Sequence, residues 1–220
     1  LDMTYFQDAD GRSYYAWQQL GATYIAKMDP KDPAHVTSSP VRIVTPEYAW
    51  NAAIAEGPNV TLRDGKLYLM FSGSGVGKTY TTGLAVADAA GSDLTDPASW
   101  TALNYPIQKS GPFNGEMQLG TGHGMWSEDE DGNQVYVFHA YATKNLGSVN
   151  ATGRDMFVRR VHWAADGMPV FDMSSSEELA SKTVSVTVKV ADDTVTVDKT
   201  DLSKALASAK QLRESDYTAA

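Results

Sequence analysis

The chain has 220 residues, a net charge of −9, 42% hydrophobic and 20% charged residues, and no cysteine. Its length suits one well-buried domain with a small appendage, and its composition excludes a disordered chain. The acidic balance argues against nucleic-acid binding, the missing cysteine excludes disulfides, thiolate metal sites and a Cys nucleophile, and no apolar run approaches the ~20 residues that cross a bilayer.

The first residue is Leu1 and a strand-like pattern follows at once, which reads as the interior of a longer polypeptide. Phe6–Trp17 holds a strand, the Asp10-Gly11 turn and an aromatic strand. Val60–Phe71 repeats this around Asp64-Gly65, and Trp126–Phe138 around Asp131-Gly132. Asp-Gly favours two-residue type I′ hairpins, because both positions need positive φ. The three turns recur at intervals of 54 and 67 residues, with further strand-like runs such as Thr23–Lys27 and Thr81–Ala87 between them. Four short strands per ~50–65 residues is the spacing of propeller blades, whereas a β-sandwich, the competing reading, need not repeat one hairpin at that interval. A fourth turn, Asp166-Gly167, follows the strand Asp155–Trp163, so residues 1–173 supply about three blades and part of a fourth.

After Met173 the pattern changes. Ser174–Glu178 is a polar break, Lys182–Val190 alternates as an exposed strand, and Thr194–Val197 forms a second. Asp198–Leu212 reads as a helix with an apolar stripe at Leu202, Ala205, Leu206, Ala209 and Leu212.

Ser72–Thr79 has the look of a phosphate-binding loop, but Gly73 stands one residue too close to Gly77-Lys78, and a β-branched run follows in place of a helix. Nucleotide binding is rejected. Glu56 stands in Glu56-Gly57-Pro58-Asn59, directly before a repeat strand and after a stretch containing Trp50. Asp2 precedes the first repeat strand and His123, between Gly122 and Gly124, precedes the third. Asp2, Glu56 and His123 thus occupy equivalent blade entrances, where side chains converge on the propeller axis. Paired carboxylates there suit acid–base work on a glycosidic bond.

In order and spacing these segments resemble glycoside hydrolase family 43: Leu1-Asp2 with Asp8–Tyr14, Glu56–Asn59 with Gly65–Ser72, Gly122–Gly124 with Asp131–Ala140, and Gly153–Val170. The resemblance covers residues 1–172 and implies a five-bladed β-propeller that cleaves α-L-arabinofuranosides or β-xylosides with inversion. It implies Glu56 as general acid, Asp2 as the carboxylate that tunes and orients that acid, and Arg154 as a basic residue near the substrate. Trp50 and His123 join Arg154 as substrate-binding residues, and His123 also corresponds to a residue that helps hold a water-ligated Ca²⁺ ion. The family's general base has no counterpart here, so the expected fold is an all-β propeller lacking its first blade, with blades two to five in residues 1–173 and a short C-terminal helix. This chain alone is then expected to be inactive. Residues 174–197 are expected to be a linker with short strands. Residues 198–220 resemble the start of a FIVAR module, a helical repeat of secreted and cell-surface bacterial proteins. The expected partner is a plant oligo- or polysaccharide. Two rivals stand beside this reading: a non-catalytic carbohydrate-binding propeller, and a retaining furanosidase whose missing residue is a nucleophile.

Overall fold

The computed structural model describes residues 2–142, 153–181 and 199–211. Residues 1–172 form one compact unit and 173–220 a second. The first unit is built of antiparallel sheets. One sheet holds β1 (Thr4–Gln7), β2 (Ser13–Gln19), β3 (Ala22–Asp29) and β4 (Asp32–Val36), with β5 (Val41–Val44) also pairing β3. The next runs β6 (Ala55–Arg63), β7 (Lys66–Gly73), β8 (Thr81–Asp88) and β9 (Thr101–Ala102). The third runs β10 (Gly111–Phe113), β11 (Glu116–Glu128), β12 (Gln134–Tyr141) and β13 (Asp155–Arg160), and β14 (His162–Trp163) pairs β15 (Pro169–Val170).

Sheets stacked in series, rather than two facing layers, account for the pattern of β7. After the exposed Lys66 every residue of β7 is buried. Leu67, Leu69 and Phe71 point into a cluster with Phe6, Tyr14 and Ile25 of the first sheet, while Met70 joins Tyr136, Phe138 and Phe171 on the other side. A strand with only one buried face would alternate. This is the propeller arrangement, with β6 packed on β1–β3 and β11 packed on β6–β8.

The repeated turns fall into two kinds. Asp64-Gly65 is the expected two-residue turn, with positive φ at both residues (46° and 76°) between the paired Arg63 and Lys66. The other three Asp-Gly pairs sit in three-residue loops with only the glycine left-handed: Gly11, Gly132 and Gly167 donate to the carbonyls of Asp8, Asp129 and Ala164. For two of them the cause stands two positions upstream of the pair. Asp8 accepts from the backbone N–H of Asp10 and Arg12, and Asp129 from that of Asp131 and Asn133, which stabilises a type I turn ended by a bulge.

In the second unit the expected break at Ser174–Glu178 contains the start of α1 (Ser175–Ser181). Ser174 and Glu177 form a capping box: the Glu177 carboxylate accepts from the Ser174 N–H at 2.8 Å, and the Glu177 N–H donates to Ser174 Oγ. The expected helix near the C-terminus is α2 (Thr200–Gln211). The strands expected within 182–197 lie outside the described residues.

Candidate active site

Glu56 and His123 stand on the same irregularity in neighbouring sheets. Glu56 faces Ser72 and Asn59 faces Met70, so three steps along β6 match two along β7. Gly122 faces His139 and Met125 faces Val137, the same mismatch on β11 against β12. Each β-bulge turns the strand and re-aims a side chain that regular pairing would leave in the ladder. Asn59, at the end of the first bulge, binds across both sheet boundaries: its Oδ1 accepts from the Trp126 N–H at 2.8 Å, and its Nδ2 reaches Thr4 Oγ1 at 3.5 Å.

The two candidates meet through Tyr80, directly before β8. The fully buried Tyr80 hydroxyl donates to Glu56 Oε1 at 2.6 Å and lies 3.2 Å from His123 Nδ1. The phenol has one proton and gives it to the carboxylate, so His123 supplies the hydrogen on Nδ1 and, in its neutral form, carries its lone pair on Nε2. Burial first, then the hydrogen bond to Glu56, push the Tyr80 phenol well above its ordinary value, and the Asp2 charge adds to this. Tyr80 therefore remains a donor at any working pH, and the field of Asp2 acts on it beside that of Glu56. The backbone N–H of His123 donates to Ser72 Oγ at 2.6 Å. Asp2 and His123 both hold left-handed backbone, φ 43° and 50°, a strain of order 1–3 kcal/mol per residue that persists where surroundings impose it. Gly57 makes room for the imidazole, since a Cβ there would lie 3.2 Å from the His123 ring.

His139 stacks on Tyr80 with ring centroids 5.4 Å apart, and His123 lies beyond it at 6.3 Å. Arg154 donates through Nη1 to His139 Nε2 at 2.9 Å. Burial, the Arg154 cation and His123 hold the His139 imidazole down at about 4. The neutral ring then carries its one hydrogen on Nδ1, a buried atom without a hydrogen-bond partner among the described residues. His123, His139 and Arg154 line one cavity of about 550 Å³. Trp50 is placed elsewhere. Its indole N–H donates to Asn104 O, its ring packs on Phe71, and it lines a separate cavity of about 600 Å³ with Lys78 and Thr79. Sequence reasoning missed Tyr80, Ser72, Asn59 and His139 as contributors. Of these, only Tyr80 lies outside the segments that carry the family resemblance.

Among the described residues, no group of three or more His, Asp and Glu side chains could hold a metal ion. Ca²⁺ takes about six to eight oxygen ligands. The residues present therefore fit it only as an ion wrapped in water, with the Nε2 side of His123 as a contact of that shell.

The sequence profile of Glycosyl hydrolases family 43 matches residues 1–169. The chain belongs to family 43. An extracellular exo-α-(1→5)-L-arabinofuranosidase of Streptomyces avermitilis is 32% identical over 184 residues, covering 78% of this chain and 37% of that protein. α-L-Arabinofuranosidase 43 of Humicola insolens is 31% identical over 185 residues, with the same coverage of 78% and 37%. Among solved structures, an α-L-arabinofuranosidase from Lactobacillus brevis superposes with a TM-score of 0.68 at 29% identity, covering 78% of this chain and 55% of that one. This family-43 chain thus spans less than two fifths of the length of these two sequence relatives. Its match to the family takes in β1, β6 and β11, the strands that Asn59 links.

Proposed function

We propose that the chain carries the acid side of an inverting glycosidase site, with Glu56 as general acid, for α-L-arabinofuranosyl or β-xylosyl linkages of plant polysaccharides. The observation that carries this reading is the Tyr80 hydroxyl bound to Glu56 Oε1 in a family-43 chain. With Oε1 occupied by a permanent donor, the transferable proton resides on Oε2, which hands it to the departing glycosidic oxygen. Asp2 is the second carboxylate, orienting the acid and setting its proton affinity, and Arg154 and His123 line the cavity that receives the sugar. Trp50 serves a more distant sugar unit through its own cavity. The water attacking from the opposite face needs a base about 6.5–9.5 Å from the acid, and no residue of the chain matches the family's base. The 220 residues are therefore expected to be inactive by themselves. A water-held Ca²⁺ beside His123 would supply positive charge to the cavity. The extracellular relatives and the FIVAR-like residues 198–220 support action outside the cell, at or near a bacterial surface.

Hydrolysis of an aryl α-L-arabinofuranoside and of α-1,5-arabino-oligosaccharides tests the proposal, comparing this chain with a longer protein that contains it. The longer protein should release the inverted anomer, seen by NMR, and Glu56→Gln should slow turnover about 10²–10⁴-fold. Normal turnover by the short chain, or by the Glu56→Gln protein, would overturn the assignment. Unchanged activity after removal of calcium with EDTA would remove the ion from it.

A further inference from the structure

The glycine-rich run Ser72–Thr79 was rejected as a nucleotide loop, yet Ser74, Lys78 and Thr79 from it line the cavity of about 600 Å³ that holds Trp50. Pro106, Lys109 and Ser110, from a second connection, line it too. The two loops are fastened together. Ser110 Oγ donates to Lys78 O at 2.6 Å and accepts from the Gly120 N–H at 2.8 Å, and a Cβ at Gly120 would collide with Gly77 O. Within the run, the Ser74 and Thr79 hydroxyls lie 2.9 Å apart. Lys78 and Lys109, the neighbour of Ser110, are thereby brought to one hollow from separate loops.

Both lysines are exposed. No salt bridge among the described residues uses either of them, and none of the residues lining the cavity is acidic. On a chain of net charge −9 this is a local reversal of sign. Lysines that serve solubility stand interspersed with carboxylates, whereas two unopposed ammonium groups in one hollow concentrate anions there. Trp50 indicates what carries the anion. Its indole N–H donates to Asn104 O, its ring packs on Phe71, and Gly73 and Gly83 leave the space that its benzo edge fills, since a Cβ at either would lie 2.8 or 2.6 Å away. A partly exposed indole fixed in this way is a platform for the apolar face of a sugar ring. A bare phosphate needs no such ring, and no helix N-terminus follows the run to hold one.

We propose that the Trp50 cavity binds an acidic sugar, a uronic acid whose ring lies against Trp50 and whose carboxylate is held by Lys78 and Lys109. This rests on the glycosidase reading, in which Trp50 serves a distant sugar unit, and names the class of that unit. It directs the protein to polysaccharides that carry uronic acid groups.

The test is a titration of the 220-residue chain, followed by NMR, with xylobiose bearing an α-1,2-linked glucuronic acid. The controls are the same sugar with its carboxyl reduced to the alcohol, xylotriose, and inorganic phosphate. The acidic sugar should bind about tenfold tighter than its reduced form, and that preference should shrink as sodium chloride rises from about 20 to about 300 mM. Lys78→Ala and Lys109→Ala should each weaken binding of the acidic sugar about threefold and leave xylotriose unaffected. The indole resonances of Trp50 should shift with all three sugars. The proposal is overturned if the acidic sugar binds no tighter than its reduced form, if the preference survives in the double lysine variant, or if Trp50 is unmoved. Phosphate binding as tightly as the acidic sugar, or no sugar binding up to about 50 mM, would overturn it as well. Lysine-dependent binding by a longer protein that cleaves no glycoside would overturn the glycosidase reading alone, and normal turnover without a preference for the acid would overturn this proposal alone.

Discussion

Tyr80 governs both of the groups it touches. Its hydroxyl holds one oxygen of Glu56 and, by exhausting its own proton, sets the tautomer of His123. Tyr80→Phe keeps the ring that stacks on His139 and removes only that hydroxyl. We expect it to cost about 1 kcal/mol of stability and to lower kcat of the longer protein at least tenfold with little change in KM, as thermal melts and steady-state kinetics would show. His139 makes a second prediction at this scale. Its folded pKa of about 4 lies below the ordinary 6.5. Between those values the unfolded chain binds a proton that the folded chain refuses, so stability falls as pH drops through that window. The melting temperature should decline from pH 6.5 towards pH 4, and His139→Gln should flatten that decline. Asp93, held down at about 2 by Thr95 and Lys27, contributes stability that is lost only below the ordinary carboxylate value, so the two effects separate by pH. If His139→Gln leaves the upper slope unchanged, the buried neutral imidazole is not its source.

Strands β6 and β11 depart from regular pairing at the positions that face the site, and Asn59 ties them together just below. Asn59→Ala would strand the Trp126 N–H and remove the contact to Thr4 on β1. It should lower stability by about 1–3 kcal/mol, read from urea unfolding, and reduce activity through misplacement of Glu56 and His123, with Asn59→Asp recovering part of the loss. The elements themselves were legible in the amino-acid order because hairpin chemistry is local. Asp64-Gly65 announces its own turn, and the Asp8 and Asp129 side chains act within four residues of themselves. Even so, three of the Asp-Gly pairs close three-residue loops where the dipeptide alone implies two, and in two of these the deciding aspartate stands two residues before the pair. Ser174 and Glu177 carry the S-x-x-E spacing of a capped helix, a signal hidden within an apparently polar break. Glu56 and His123 could be found because each sits in a glycine-marked motif at a repeat entrance. Tyr80, Ser72 and Asn59 could not, because their partners lie 24, 51 and 67 residues away, and even the 67-residue interval, which matches the repeat, does not say that a side chain crosses between the blades. Trp50 stands close to Glu56 in sequence, but the turn between them carries its ring to Phe71 and a different cavity.

At the scale of the whole molecule the chain divides after Asp172. The blade sheets keep both hydrophobic clusters within residues 1–172, so removing residues 173–220 should leave the melting temperature of the remainder within about 2 °C of the full chain. A larger drop in a calorimetric scan would show that the second unit supports the first. Family membership, the serial stacking of sheets and the C-terminal helix all followed from repeats and motifs. Which face each strand turns towards its neighbours emerged only from packing.

The bond from the Trp126 amide to Asn59 crosses from one blade to the next and ends on a side chain, not on the adjoining strand of its own sheet. Its proton is therefore a natural timekeeper for the seam. Fraying of a single blade exposes amides of the ladder, but this one exchanges with solvent only when two blades part. Hydrogen exchange at Trp126, compared with its ladder neighbours on β11, would time how often the hub of the molecule breathes, and Asn59→Ala should stop that clock.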